Sequence, residues 1–177
     1  SINYISAHDN LCLWDKIKEA GVTGDYAQRI VKFGHGILLT SQGIPFIHAG
    51  DEFLRTKHKG AGSAMAHNSY MAGIKTNSID WSLKSTNNGI FKYHSDLIKL
   101  RKDNDGLRYR NGTGTTEVAG NAVKYYVQNT NGTKLCIVVN PGNNMSAPVS
   151  GTKIFDIYGA TPKSSDCEGT AVTVIKY

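Results

Sequence analysis

Two short apolar runs, each emptying into polar residues, constrain this chain more than any other feature of its sequence. The first, Asn3-Tyr4-Ile5-Ser6, reads as a short buried strand that opens past Ala7 into His8-Asp9-Asn10. The second, Ile44-Pro45-Phe46-Ile47-His48-Ala49-Gly50, opens into Asp51-Glu52. Helical pattern fills the interval. Residues 11–21 predict a short helix that ends at Gly21, with Trp14 and Ile17 on one face. Thr23-Gly24-Asp25 is a good helix entry, and a longer helix is predicted from Tyr26 to about Ser41, stopped by Gly43. Its stripe is Tyr26, Ile30, Phe33 and Ile37, thickened by Leu38 and Leu39. Gly34 and Gly36 weaken that helix, which predicts a close neighbour against them. Strand, helix, strand with polar residues at both strand ends is the parallel β/α pattern. In a parallel α/β barrel the strand interiors are apolar and the chemistry sits at the strand C-termini. Pro45 belongs at the first strand position, where its missing N–H does least harm.

Beyond the second run, residues 55–88 read as a long irregular segment, the kind that is usually functional rather than padding. A helix follows over 90–102, carrying Phe91, His94, Leu97, Ile98 and Arg101. The texture changes at Asp103-Asn104-Asp105-Gly106, and a domain boundary is placed there, dividing the chain into 1–106 and 107–177. Past it the period is two: Val123, Tyr125 and Val127 alternate with Lys124, Tyr126 and Gln128. A tight Asn131-Gly132 turn returns the chain through Leu135, Ile137 and Val139. Residues 154–158 and 170–177 complete the strand candidates. The second part is therefore a small antiparallel sheet domain with one modest core. Asn-x-Ser/Thr triplets at Asn111, Asn131 and Asn144 read as turn chemistry.

Composition excludes several classes. The formal charge is +6, but the positive residues are scattered, apart from loose groups at Arg55, Lys57, His58, Lys59 and at Lys99, Arg101, Lys102. No basic-aromatic stripe suggests nucleic acid, and most of these lysines read as solvated surface. Cys12, Cys136 and Cys167 are far apart and odd in number, so they offer neither a metal spacing nor a disulfide framework. No metal site is expected. No apolar run approaches the length needed to cross a membrane. Residue 1 already lies in a predicted strand with no leader before it, so the chain is expected to be a piece of something longer.

Two constellations could carry chemistry. His8-Asp9-Asn10 either grips neighbouring hydroxyls of a sugar ring, or forms an Asx-turn after the strand. Asp51-Glu52 either supplies acid and nucleophile to a glycosidic bond, or caps and salt-bridges the nearby Arg55-Thr56-Lys57.

Tyr4-Ile-Ser-Ala-His-Asp-Asn10 followed by Leu13-Trp14-Asp15-Lys16 closely resembles the fourth conserved region of type I pullulanases, starch-debranching members of the α-amylase superfamily (glycoside hydrolase family 13). The stretch 42–50 with Glu52-Phe-Leu-Arg-Thr-Lys57 resembles their final barrel strand and the loop beyond it. Asn68-Ser-Tyr70, Asn77 and Asp80-Trp81 resemble the loop before the last helix. The resemblance implies the last two β/α units of a TIM (β/α)8 barrel, followed by a C-terminal antiparallel β-sandwich. It implies that Asp9 is a catalytic carboxylate that stabilises the transition state, that His8 and Asn10 bind substrate, and that Arg55 touches substrate or supports residues that do. The implied substrate is an α-glucan (pullulan, amylopectin or limit dextrins), cleaved at α-1,6 linkages with retention. No cofactor is implied in this chain, and calcium is a matter for the full-length parent. Two departures stand out. No stretch matches the family's nucleophilic Asp or acid Glu motif, so the chain alone is expected to be inactive. Met71-Ala-Gly-Ile-Lys-Thr76 departs from the usual loop, and Asp51 stands where many relatives carry glutamine. The implied partner is the missing N-terminal part of the barrel; lacking it, the chain is expected to self-associate. The alternatives are another debranching enzyme (an isoamylase or amylopullulanase), or a non-catalytic carbohydrate-binding module that stacks sugars on Tyr109, Tyr125, Tyr126 and Tyr158.

Overall fold

The computed structural model describes residues 1–58, 63–109 and 114–177, with only the backbone of residues 63 and 64. The Asn111 triplet and Lys59 lie outside the described residues. Strand β1 (Ile2–Asn3) pairs in parallel with β2 (Ile44–Pro45). Helices α1 (Leu13–Glu19) and α2 (Gly24–Thr40) form the crossover between them. The predicted β/α pattern is present, but both strands are shorter than expected and exposed where burial was predicted: Ile2 is 65% and Tyr4 63% exposed. Among the described residues neither strand has a second neighbour; Ile44 N–H to Ser1 O (3.0 Å) and Phe46 N–H to Asn3 O (2.8 Å) bracket the short pair. Pro45 sits at the second strand position, between these two donors.

The buried face of α2 also differs from the expected stripe. Ala27, Val31, Leu38 and Leu39 are buried, whereas Tyr26 is exposed and Ile30, Phe33 and Ile37 are half-buried. The inner line runs one residue later because small side chains (Ala27, Gly36) meet the closest neighbours. A Cβ on Gly36 would lie 2.9 Å from Val172 Cβ, and one on Gly34 would lie 3.3 Å from Ile5 Cδ1. The expected close neighbours are there.

The segment expected to be irregular folds into short helices: α3 (Ser63–His67), α4 (Ile74–Asn77) and α5 (Ser82–Thr86), before the long α6 (Asn88–Asp103). Beyond it lie β3 (Thr116–Ala119), which carried no clear sequence signal, β4 (Ala122–Gln128), β5 (Lys134–Asn140), β6 (Thr152–Phe155) and β7 (Ala171–Lys176). They form one antiparallel sheet in the order β3-β4-β5-β7-β6. The β4–β5 connection is a five-residue loop instead of a two-residue turn. Gly132 N–H donates to Asn129 O (2.9 Å) and Asn129 N–H to Thr133 O (2.8 Å), with Gly132 at φ 87°.

A sandwich of two sheets was expected; the described residues form one sheet with different covers on its two faces. Side chains alternate along a strand, so Leu135 and Ile137 of β5 join Val127, Phe155, Val172 and Val174 against Leu39, Tyr93, Leu97 and Leu100 of α2 and α6. On the opposite face Cys136, Val138 and Ile175 pack with Met145 from the β5–β6 connection and Cys167 from the β6–β7 connection. The first face crosses the expected boundary at residue 106. Polar ties cross it too: Tyr125 Oη donates to Thr40 Oγ1 (2.8 Å) and Gln42 Nε2 to Tyr109 O (3.1 Å). Each fully buried Leu, Ile or Phe stabilises by about 1.5–3 kcal/mol, so helices and sheet hold each other in place.

Candidate active site

His8, Asp9 and Asn10 follow β1 as an exposed turn. The turn is held by side-chain bonds to the next amide, one residue on, and not by the two-residue reach of the Asx-turn that the sequence offered as one reading. Asn10 N–H donates to Asp9 Oδ1 (3.0 Å), Leu11 N–H donates to Asn10 Oδ1 (2.7 Å), and Asn10 is left-handed at φ 71°. Asn tolerates that region better than most residues. These bonds orient the Asp9 carboxylate and leave it, with the His8 ring, at the surface.

A buried lysine grips the turn from below. Lys57 Nζ donates to His8 O (2.6 Å) and to Asn10 O (2.8 Å), the two carbonyls on either side of Asp9. Lys57 is only 2% exposed, so the expectation of a solvated lysine fails at this position. Asp15 of α1 fixes its backbone, accepting from Lys57 N–H (2.7 Å) and from Thr56 Oγ1 (2.5 Å). Burial lowers the Lys57 pKa, and the Asp9 and Asp15 charges raise it.

The carboxylates at the second strand end do not face each other. Asp51 is buried; its Oδ2 accepts from Ser6 Oγ and its Oδ1 from Leu13 N–H (3.3 Å), so it joins the two strand ends. Glu52 Oε2 accepts from Gly50 N–H (2.8 Å). Neither the acid–nucleophile pair nor a salt bridge to Arg55-Thr56-Lys57 forms, because successive residues of the 3-10 turn over Asp51–Phe53 point apart. Burial pushes Asp51 up to about 6.

Arg55, expected at or behind the substrate, is buried and faces protein. Nη1 approaches His48 Nε2 (3.2 Å) and donates to Ala49 O (3.0 Å), and Nη2 donates to Asn77 O (2.6 Å). It ties the end of β2 to α4 and does not reach the triplet. Its donors also bear on a cluster that the sequence did not predict. Ligand atoms of Cys12, His48 and Asp51 converge within 4.8 Å, a group that could hold a metal ion. A guanidinium only donates, so in the neutral ring His48 Nε2 accepts from it and Nδ1 carries the proton; that Nδ1 is buried without a hydrogen-bond partner, 4.0 Å from Asp51 Oδ1. A protonated Nδ1 cannot ligate. Burial lowers His48 to about 4 and raises the Cys12 thiol to about 12.

Sequence reasoning found the triplet and missed Lys57, Asp15 and this cluster. Lys57 carries no warning signal, since its neighbours Arg55, His58 and Lys59 make it read as surface. Of the four proposed stacking tyrosines, Tyr125 packs into the core and Tyr126 against the opposite face of the sheet. Tyr109 and Tyr158 are exposed, with Arg108 and Lys163 over their rings at 5.5 and 4.8 Å.

No protein-family model matches the chain. In sequence it is 38% identical over 112 residues to a pullulanase of Bacillus subtilis (strain 168), a match covering 62% of this chain and 15% of that protein. In structure it aligns with a pullulanase from Bacillus acidopullulyticus at a TM-score of 0.84 and 28% identity, over 99% of this chain and 24% of that one. It also aligns with a pullulanase from Anoxybacillus sp. LM18-11, complexed with maltotetraose, at a TM-score of 0.78 and 26% identity, over 99% and 27% of the two chains. The chain thus spans about a quarter or less of these relatives. In sequence and in fold the chain is similar to pullulanases over part of their length.

Proposed function

We propose that this chain is the end of the catalytic barrel and the β-domain that follows it in a starch-debranching glycoside hydrolase. The parent cleaves α-1,6-glucosidic linkages in pullulan, amylopectin or limit dextrins with retention. Residues 1–106 supply the last two β/α units and 107–177 the C-terminal domain. The carrying observation is the exposed His8-Asp9-Asn10 turn, which follows the C-terminal end of the short parallel strand β1 after residues 4–7, in a chain similar to pullulanases, one of them complexed with maltotetraose. In a parallel α/β barrel this is the end where chemistry sits.

In this reading Asp9 accepts hydrogen bonds from ring hydroxyls and places negative charge beside the oxocarbenium-like transition state. Bonds of this kind strengthen as the sugar flattens, so they lower the barrier without tightening the ground state equally. His8 and Asn10 hold the same sugar from either side, and Arg55 fixes the neighbouring strand end. The nucleophile and the proton donor come from the part of the barrel that this chain does not contain. Without both, double displacement cannot complete.

The 177-residue chain therefore releases no maltotriose from pullulan, and appreciable release would overturn the proposed division of labour. Titration with maltotriose followed by NMR is expected to move the signals of His8, Asp9 and Asn10. If those signals stay still at saturating sugar, the substrate-holding role is wrong.

A further inference from the structure

We infer that Lys57 is a positioning residue for Asp9, setting the direction of the Asp9 carboxylate through the two backbone carbonyls that flank it. The functional half of this inference rests on the reading of Asp9 given above; the geometric half does not.

The argument begins with cost. An ammonium group taken out of water loses several kcal/mol of solvation, recovered only through strong hydrogen bonds and nearby opposite charge. A methionine or leucine would fill the same space without that penalty. Lys57 recovers it from just two carbonyls, at 2.6 and 2.8 Å, on residues 8 and 10, and from the nearby Asp9 and Asp15 charges. Had the lysine served only to fill the core, there would be no reason for its nitrogen to sit between these two atoms.

The consequence reaches Asp9 in three steps. Holding His8 O and Asn10 O on one nitrogen fixes the distance between the His8–Asp9 and Asn10–Leu11 peptide planes, and so restrains the backbone dihedrals of both Asp9 and Asn10 between them. That fixes Asn10 in its left-handed conformation, which an L-residue leaves readily once its restraint is lost. The Asn10 N–H then points at Asp9 Oδ1, 3.0 Å away, and the carboxylate is oriented. The lysine itself is immobilised from behind, since Asp15 on α1 holds both Lys57 N–H and Thr56 Oγ1. Helix α1 is thereby connected to the Asp9 carboxylate through hydrogen bonds joined by the Lys57 side chain and the Asn10 backbone. A carboxylate that must meet a sugar within a few tenths of an ångström requires such support.

Two substitutions in the 177-residue chain test this. Lys57→Met keeps the unbranched shape and removes the donors; Lys57→Arg keeps the charge but cannot place one nitrogen between both carbonyls. In Lys57→Met the Asn10 and Leu11 amides should exchange about tenfold faster or more, and the Asp9 carboxyl carbon should shift toward its position in a short peptide. Signals from Leu97 and Ile137, far away in the core, should stay put. Lys57→Arg should fall between the two. If the Asn10 amide and the Asp9 carboxyl signals are unchanged in Lys57→Met, the inference is overturned. Should that variant fail to fold, Lys57→Arg decides by the same signals, and an Asp9 carboxyl identical to the parent chain's counts against the inference. Maltotriose separates the two claims. Signals at His8 and Asp9 that never respond to the sugar remove the glucan reading, while amide exchange still decides the role of Lys57.

Discussion

Buried histidines dominate the acid response of this chain. His35 on α2 and His94 on α6 meet inside the molecule with Nδ1 atoms 3.3 Å apart and rings edge to face. One nitrogen donates and the other accepts, and burial favours the neutral form of both rings. Burial first, and the neighbouring His94 second, lower His35 to about 3, and burial lowers His94 as well. An unfolded histidine takes its proton near pH 6.5. The stability of the pair is thus present above that pH and is lost as pH falls toward 3, at up to about 1.4 kcal/mol per pH unit. Two other groups act in the same window with opposite signs. His48, lowered to about 4, also loses stability on acidification, whereas Asp51, raised to about 6, gains it as pH falls from 6 toward 4. These two nearly cancel, leaving the His35–His94 pair exposed to measurement. His35→Asn keeps a polar partner for His94 but does not titrate. Urea unfolding at several pH values from 6.5 to 4.5 should show a shallower pH dependence for His35→Asn by about one proton. Parallel curves for the two proteins would show that the pair does not control acid stability.

At the scale of elements, glycine decides how closely α2 approaches the sheet. Gly36 faces Val172 of β7 and the Tyr93 hydroxyl, which a Cβ would meet at 2.9 and 3.2 Å. Gly36→Ala would force helix and sheet apart, an overpacking cost of about 1–3 kcal/mol, even though alanine favours helix by about 1 kcal/mol. Thermal melts should show a lower midpoint for Gly36→Ala, with recovery of part of the loss in the double variant that adds Val172→Ala. An increase in the midpoint for the single variant would mean that the helix slides freely on the sheet. A second device fixes the end of the same helix. Arg101 from α6 is buried and donates to Leu39 O (2.8 Å), Ser41 O (2.8 Å) and Gly43 O (2.6 Å), so it collects carbonyls that the helix end leaves without partners. The glycines were legible in sequence as a close approach, because nothing else excuses them in a helix interior. What approaches them was not, since Val172 is 136 residues away from Gly36 in the chain.

At the scale of the whole molecule, the strongly bound part is the helix-and-sheet core, and the weakly bound part is the β1–β2 pair. Ile2, Tyr4, Ile44 and Phe46 are exposed there, with Tyr4 and Phe46 rings edge to face at 6.2 Å. Apolar surface on short strands with unpaired edges favours association. The chain is expected to elute from gel filtration ahead of a 19.2 kDa monomer, and Ile2→Lys with Ile44→Lys should move it back. A monomer at high concentration without these changes would count against the edge argument. Periodicity and local chemistry alone determined much of this molecule: the order of strand and helix, the two-residue period of β4 and β5, and the polar triplet after the first strand. Each of these depends on residues within a few positions of one another. The tertiary structure decided the rest: the burial of Lys57 and Arg55 inside what reads as a basic surface, the use of Asp51 as a tie between strand ends, and the core shared across residue 106. Burial and hydrogen bonding join residues tens of positions apart, and a one-dimensional pattern does not contain those distances.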